Sequence, residues 1–194
     1  MSAVRDETLG LALVSIARRA IGTRLGLAGE EPPAHAALAT PAATFVTLFC
    51  NAELRGCIGS LQPLRALGED VRENAINAAF HDPRFPPLAQ TEFGATSIEV
   101  SLLSPSMRQC FATEEDLLAR LRPGIDGVTL EYGRCRGTFL PQVWDTLPDP
   151  RAFLAELKRK AGLPGDFWNA RLAVGVYQVT KWKESEFACP WVLQ

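Results

Sequence analysis

The sequence lacks the features that mark membrane and nucleic-acid-binding proteins. It has no apolar stretch of the roughly 18 to 20 residues needed to span a bilayer, and no long run of basic or acidic residues. The 20 basic and 22 acidic residues give a formal charge of -2, which favours neither nucleic acid nor an anionic membrane surface as a partner. Arg5, Asp6 and Glu7 precede an amphipathic rather than a continuously apolar segment. The expected location is therefore the cytoplasm.

Motifs for nucleotides, common hydrolases and structural zinc are also missing. We find no G-x-G-x-x-G, Walker loop, G-x-S-x-G, H-E-x-x-H or C-x-x-C, so no cofactor or zinc site is expected. The cysteines lack the dense, regular spacing of a disulfide framework, which favours reduced thiols. They are Cys50, Cys57, Cys110, Cys135 and Cys189.

What is present is the composition of a globular protein. The 194 residues are 47% hydrophobic and 22% charged, enough to bury one core or a core plus a small lobe. We expect a single domain over residues 1–194, with one lobe or two. In the two-lobed alternative, residues 8–105 form one part and residues 126–183 the other, with an undefined internal boundary.

Helices and hairpins alternate along the chain. Apolar spacing predicts a helix from Thr8, its N-cap, to Leu25, a second from Pro63 to Phe80, and a third from Asp149 to Lys160. Thr113 resembles the N-cap of a short helix. β-Branched and alternating residues predict hairpins and strands at 44–58, 97–102, 128–140 and 172–183. Because short loops join neighbouring strands, an antiparallel or mixed sheet is favoured over a doubly wound one.

Residues 54–59, Leu-Arg-Gly-Cys-Ile-Gly, are the main candidate for a functional site. In an extended strand Arg55 and Cys57 share one face, and a nearby guanidinium favours the nucleophilic thiolate. Gly56 and Gly59 allow a ligand to approach the backbone closely. Spacing alone favours the plainer alternative, in which Cys57 is a small buried residue and the glycines mark a bulge or tight packing.

The loop at 81–87 and one strand residue supply further candidates. His81, Asp82 and Arg84 could bind a ligand from a rigid, proline-rich loop, or Asp82 and Arg84 could form a structural ion pair at a helix end. Glu99, on the polar face of a strand, could be a general base or a ligand-binding carboxylate, or it could be solvated or salt-bridged. Cys57, His81 and Glu99 have no metal-ligand spacing, so no metal is predicted.

Several ordered motifs resemble the AMMECR1 domain family, and more closely its prokaryotic branch, AmmeMemoRadiSam system protein A. The motifs occupy residues 54–59, 82–87, 99–105, 126–127 and 138–144. The resemblance covers nearly the whole chain, apart from a longer tail after Lys183. It implies an α+β fold, with a mainly antiparallel sheet flanked by helices and two unequal subdomains with a cleft between them.

The resemblance also implies a site and partners. The signature segment of the family corresponds to Arg55 to Gly59, and genes of the family are associated with those of a Memo-like protein and a radical SAM protein. It implies no settled activity.

Two functions of different classes follow. In the first, the protein is an enzyme or enzyme subunit in which Cys57 is the nucleophile or a covalent carrier, Arg55 stabilises the thiolate or an anionic substrate, and Glu99 or His81 transfers protons. In the second, it is a non-catalytic module that binds a protein or a ligand. An exposed hairpin edge would also support a homodimer.

Overall fold

The computed structural model describes residues 5–187 and divides the chain into two compact units. Among these residues, unit 1 contains those up to Leu103 and those from Thr180, and unit 2 is Ser104–Val179. Each unit has its own sheet and its own hydrophobic core. The chain is therefore α+β with antiparallel strand pairing, as predicted, while the cleft stays a prediction.

Unit 1 is a sheet with the strand order β2-β1-β4-β9, and β3 also pairs with β1. Its helices and strands are α1 (Glu7–Arg24), a 3-10 turn (Ala36–Ala39), β1 (Pro41–Cys50), β2 (Glu53–Gly59), β3 (Arg65–Ala66), α2 (Leu67–Phe80), α3 (Gln90–Phe93), β4 (Thr96–Leu103), β9 (Val179–Lys183) and a 3-10 turn (Glu184–Glu186). Helices α1 and α2 pack together and cover the sheet. The core includes Leu13, Ile21, Val46, Leu48, Val71, Ile98 and Val100.

The starts of the two long helices differ from the prediction. The N-cap of α1 is Asp6, whose Oδ1 accepts hydrogen bonds from the Thr8 and Leu9 amides at 3.0 and 3.1 Å; the predicted cap, Thr8, lies inside the helix. Helix α2 starts at Leu67 rather than Pro63. The cause is β3, whose pairing with β1 keeps the chain extended just before the helix.

Unit 2 is a sheet with the strand order β5-β8-β6-β7. Its elements are β5 (Met107–Arg108), α4 (Glu114–Arg120), β6 (Gly127–Tyr132), β7 (Cys135–Phe139), a 3-10 turn (Pro141–Asp145), α5 (Pro150–Lys160) and β8 (Ala173–Tyr177). Thr113 and Asp149 cap α4 and α5, as predicted. In the core, the ring of Trp144 stacks on Phe153 with centroids 3.6 Å apart.

The predicted final strand at 172–183 is in fact two strands in different sheets. β8 pairs with β5 and β6 in unit 2, whereas β9 lies beside β4 in unit 1. Gln178 separates them, and its amide and carbonyl bond the hydroxyl and the amide of Ser104 at 3.0 and 2.9 Å. The apolar pattern continues through this residue, so the pattern alone does not show the break.

Two expectations from composition concern membranes and thiols. Over residues 5–187, no helix combines the length and the apolar character needed to cross a bilayer. Cys50, Cys57, Cys110 and Cys135 are free thiols. Cys189 and the tail that follows it lie outside the described residues.

Candidate functional site

The candidate segment is strand β2, at the edge of the unit 1 sheet. Cys57 lies opposite Thr47 of β1, but the register shifts by one residue between Gly56 and Leu54 and leaves Arg55 without an opposite residue. Such a bulge interrupts the alternation of side chains between the two faces of a strand. The alternation that predicted a shared face for Arg55 and Cys57 therefore does not hold here.

The guanidinium of Arg55 binds Glu92 rather than the Cys57 thiol. Its Nε and Nη2 donate to the two carboxylate oxygens of Glu92 at 2.9 and 3.1 Å. Glu92 also accepts the amide of Ala89 at 2.9 Å. The hydrogen bond from Arg55 is the main reason why the pKa of Glu92 is lowered, and the same bond raises the pKa of Arg55. The predicted ion pair between Arg55 and a Cys57 thiolate is thus replaced by an ion pair between Arg55 and Glu92.

The guanidinium beside Cys57 belongs to Arg84. The amide of Cys57 donates to Oδ2 of Asp82 at 2.9 Å, and Nη2 of Arg84 donates to the carbonyl of Cys57 at 3.2 Å. Arg84 also binds Asp82 through Nε at 2.9 Å and Nη2 at 2.6 Å. We call this arrangement the Asp82/Arg84 clamp. It satisfies both backbone groups of Cys57 that face away from β1, as a neighbouring strand would do.

The clamp also fixes the charge of its carboxylate. Asp82 is 4% exposed, which by itself would favour the neutral acid. The hydrogen bonds from Arg84, helped by those from the backbone amides of Cys57 and Arg84, hold the pKa of Asp82 well below its usual range. Asp82 is therefore ionised at neutral pH, and the predicted structural ion pair with Arg84 is present.

The thiol of Cys57 faces a row of polar residues across the sheet. Its Sγ lies 3.2 Å from Oγ1 of Thr47, and Glu99 of β4 lies on the other side of Thr47. Thr47 thus stands between Cys57 and Glu99 in the sheet, and among the described residues no hydrogen bond joins the side chains of Cys57 and Glu99. Glu99, which is 8% exposed, instead pairs with Nζ of Lys181 at 3.1 Å.

His81 stands apart from this group. It is the exposed C-cap of α2, and the hydrogen bonds of the Asp82/Arg84 clamp do not involve it. Over residues 5–187, no three His, Cys, Asp or Glu side chains come together as metal ligands would. A ligand-binding role for His81 stays a prediction.

Packing explains both glycines of the signature segment. A Cβ on Gly56 would lie 2.1 Å from the carbonyl oxygen of Ala78 in α2, and one on Gly59 would lie 2.3 Å from Cγ of Phe45. Real Cβ atoms do not approach other atoms so closely, so these positions need glycine for the fold. Ligand contacts at Gly56 and Gly59 stay a prediction.

The sequence interpretation missed a buried network next to this segment. Asp70 of α2, 1% exposed, accepts hydrogen bonds from the hydroxyls of Thr44 and Ser60, from Arg65 and from Asn74 at 2.7 to 2.9 Å. It joins α2 to β1 and to the loop after β2. The available signal was the position of Asp70 and Asn74 within the apolar stripe of the helix, where polar residues need partners.

Comparison with known proteins places the chain in a family. A family model described as AMMECR1 matches residues 14–182. Protein MJ0810 of Methanocaldococcus jannaschii is 42% identical over 139 residues, which are 68% of this chain and 66% of that protein. Protein MK0488 of Methanopyrus kandleri is 36% identical over 185 residues, 90% of this chain and 87% of that protein.

A solved structure supports the same relationship. The uncharacterized protein PH0010 from Pyrococcus horikoshii matches with a TM-score of 0.76 and 36% sequence identity, covering 93% of each chain. The shared fold confirms the predicted α+β class. With the family model and these relatives in agreement, the chain belongs to the AMMECR1 family.

Proposed function

We propose that the protein is a binding module whose contact surface is strand β2, the residues that follow it as far as Leu64, and the Asp82/Arg84 clamp. The clamp carries this proposal, because it occupies both outward backbone groups of Cys57. A free sheet edge pairs readily with other strands, whereas this one is fixed and presents its side chains. A preorganised surface loses little entropy when a partner binds.

Exposed apolar side chains near β2 support a protein partner. Among the described residues of unit 1, the large apolar side chains that are exposed are Leu54, Leu61 and Leu64, all within or just after β2. The side chain of Arg84 is 53% exposed. Apolar side chains together with arginine are typical of protein interfaces.

The partners we propose are a Memo-like protein and a radical SAM protein. This rests on the similarity of the motifs at 54–59, 82–87 and 138–144 to the AmmeMemoRadiSam branch of the family. A homodimer through a hairpin edge is the weaker proposal, because the clamp already uses the backbone groups of Cys57 that edge pairing would require.

A pull-down with the two companion proteins tests the binding proposal. We expect wild type to retain at least one of them, Leu64→Ser to retain clearly less, and Cys57→Ser to retain as much as wild type. Met107→Ser is the matched control, since Met107 is an exposed apolar residue of unit 2. No complex with either companion, or equal loss in the Leu64 and Met107 variants, would show that this surface is not the interface.

A second candidate function is thiol chemistry at Cys57. The hydroxyl of Thr47 lies 3.2 Å from Sγ, and the Arg84 guanidinium binds the Cys57 carbonyl, so a hydrogen-bond partner and a positive charge both lie close to the thiol. If this chemistry operates, iodoacetamide should alkylate Cys57 faster than the exposed Cys110 at pH 7, and Thr47→Val should slow the reaction. Slower alkylation of Cys57 than of Cys110 would contradict it.

A further inference from the structure

One donor of the candidate site has no acceptor. Arg55 is 8% exposed, and its Nη1 is buried with no hydrogen-bond partner among the described residues. Buried guanidinium nitrogens are usually hydrogen bonded, since an unpaired donor has lost its water contacts without replacement. The Nε and Nη2 of Arg55 already bind Glu92. The remaining nitrogen is thus free to bind an acceptor from outside the chain.

Arg84 is held in the same way. Asp82 occupies its Nε and Nη2, so Nη1 is the nitrogen that it can offer to a ligand, and its side chain is accessible to solvent. Both guanidinium groups lie beside the ring of Phe85, with Cζ of Arg55 at 5.9 Å and Cζ of Arg84 at 5.5 Å from the ring centre. Two arginines, each held by hydrogen bonds to a carboxylate, therefore lie beside the same aromatic ring.

The charges of this group favour a monoanion. Arg55 and Arg84 are balanced by Glu92 and Asp82, so the four side chains carry no net charge at neutral pH. A dianionic phosphate would place two negative charges near two carboxylates, whereas a carboxylate would place only one there. The Phe85 ring offers an apolar contact for the carbon skeleton of a ligand.

We propose that Nη1 of Arg55 and Nη1 of Arg84 bind the carboxylate of an organic acid, whose carbon skeleton packs against Phe85. The proposal rests on the binding function proposed above and names the chemistry of its ligand. Because Nη1 of Arg55 is buried in this structure, the carboxylate reaches it only when a neighbouring side chain moves.

An NMR titration of arginine side-chain signals with benzoate at constant ionic strength tests this site in the full chain. We expect saturable shifts of the Arg55 and Arg84 signals, and about tenfold weaker binding in Arg84→Gln, because a charge-assisted hydrogen bond is lost. Arg72→Gln is the matched control, since Arg72 is an exposed arginine of α2 paired with Glu73. Its benzoate affinity should equal that of wild type.

Two further arms identify the ligand more closely. Benzoate should bind more tightly than acetate, and Phe85→Ala should remove that preference. A short peptide with a free C-terminus that binds at least tenfold more tightly than benzoate would identify a polypeptide terminus as the source of the carboxylate. A peptide that binds no better than benzoate would identify a small organic acid. The peptide with an amidated C-terminus should not bind in either case.

Three results would overturn the carboxylate site: no saturable shift with benzoate, phosphate binding as tightly as benzoate, or equal weakening in Arg84→Gln and Arg72→Gln. Arg84→Gln keeps the Arg55–Glu92 pair intact, so the Arg55 signal can be followed in this variant. The test therefore needs no substitution of the buried Arg55 itself. The pull-down with Leu64→Ser does not depend on the arginines. If the protein retains its companion but its arginine signals do not shift with benzoate, the carboxylate site is contradicted and the proposed binding function stands.

Discussion

Hairpin β1–β2 of unit 1 and hairpin β6–β7 of unit 2 protect their outer edges in the same way. Arg84 donates to the carbonyl of Cys57 at 3.2 Å, and Lys160 donates to the carbonyl of Thr138 at 2.9 Å. Each edge strand thereby has a carbonyl capped by a cationic side chain, which hinders pairing with another strand. A capped carbonyl is thus common to both units, whereas the Asp82/Arg84 clamp also binds the amide of Cys57.

The two hairpins differ in regularity. Strands β6 and β7 pair over five residues without a shift, and their turn contains Gly133 with φ 59°. Strand β2 has the bulge at Arg55, and its turn places Asn51 and Ala52 at φ 52° and 67°. A left-handed alanine costs about 1 kcal/mol or more. Because irregular backbone concentrates at functional positions, the difference supports the proposal that the contact surface includes β2 of this hairpin.

The largest expected contrast concerns the glycines that face a helix. A Cβ at Gly56 would lie 2.1 Å from a backbone oxygen, whereas a Cβ at Gly137 would lie 3.1 Å from its nearest atom, the Cβ of Ala161. We expect Gly56→Ala to lower the free energy of unfolding by about 3 kcal/mol and Gly137→Ala by about 1 kcal/mol. Urea denaturation measures both. Equal losses would mean that the helix contact in unit 1 is no tighter than that in unit 2.

The next contrast concerns the side chains that cap the two strand edges, which should contribute differently to stability. Asp82→Asn removes a buried carboxylate that holds both Arg84 and the Cys57 amide, and we expect a loss of about 2 kcal/mol at pH 7. Lys160→Gln removes an exposed donor, with an expected loss of about 0.5 kcal/mol or less. Hydrogen exchange of the Cys57 amide should accelerate only in the Asp82 variant. Unchanged exchange at Cys57 would contradict the role of the clamp.

The contribution of the clamp should depend on pH. The folded-state pKa of Asp82 lies below its unfolded value, so its stabilising contribution is complete above the unfolded pKa, about 3.9. As pH falls below that value toward the folded pKa, protons bind the unfolded state preferentially, and the advantage of wild type over Asp82→Asn shrinks. Unfolding measured at pH 7, 4 and 3 checks this. If the difference in unfolding free energy between wild type and Asp82→Asn grew toward acid pH, the lowered pKa of Asp82 would be contradicted.

The smallest contrast concerns the turns. We expect Ala52→Gly to stabilise the protein by about 0.5 to 1 kcal/mol, because glycine adopts positive φ without strain. Gly133→Ala should destabilise it by about 1 kcal/mol. Thermal unfolding shows directly whether each variant is more or less stable than wild type. A destabilised Ala52→Gly would show that the turn of β1–β2 is not strained.

Local patterns predicted most of the secondary structure. The hairpins, the end of α2 at Phe80 and the caps at Thr113 and Asp149 all depend on residues close together in the chain, and the structure confirms them. The structural ion pair of Asp82 and Arg84 was one of the two alternatives for the loop at 81–87, and the structure shows it.

The missed features depend on contacts between distant residues. Glu92, the partner of Arg55, is 37 residues away, and the bulge results from the pairing of two strands rather than from the pattern within one. Asp70 likewise accepts a hydrogen bond from Thr44, which is 26 residues away in the sequence. A single sequence shows which residues can ionise, but not which of them meet.

The path of the chain between the units has an evolutionary consequence. The chain leaves unit 1 after Leu103 and returns at Thr180, and the strands on either side, β4 and β9, are neighbours in one sheet. Ser104 and Gln178 join the outgoing and returning segments by hydrogen bonds. In topology, unit 2 is an insertion between β4 and β9, joined by one outgoing and one returning segment, at a position where proteins tolerate large changes in length. A change in the length of this insertion would leave the Cys57 strand and its clamp in place, because β2, Asp82 and Arg84 all belong to unit 1.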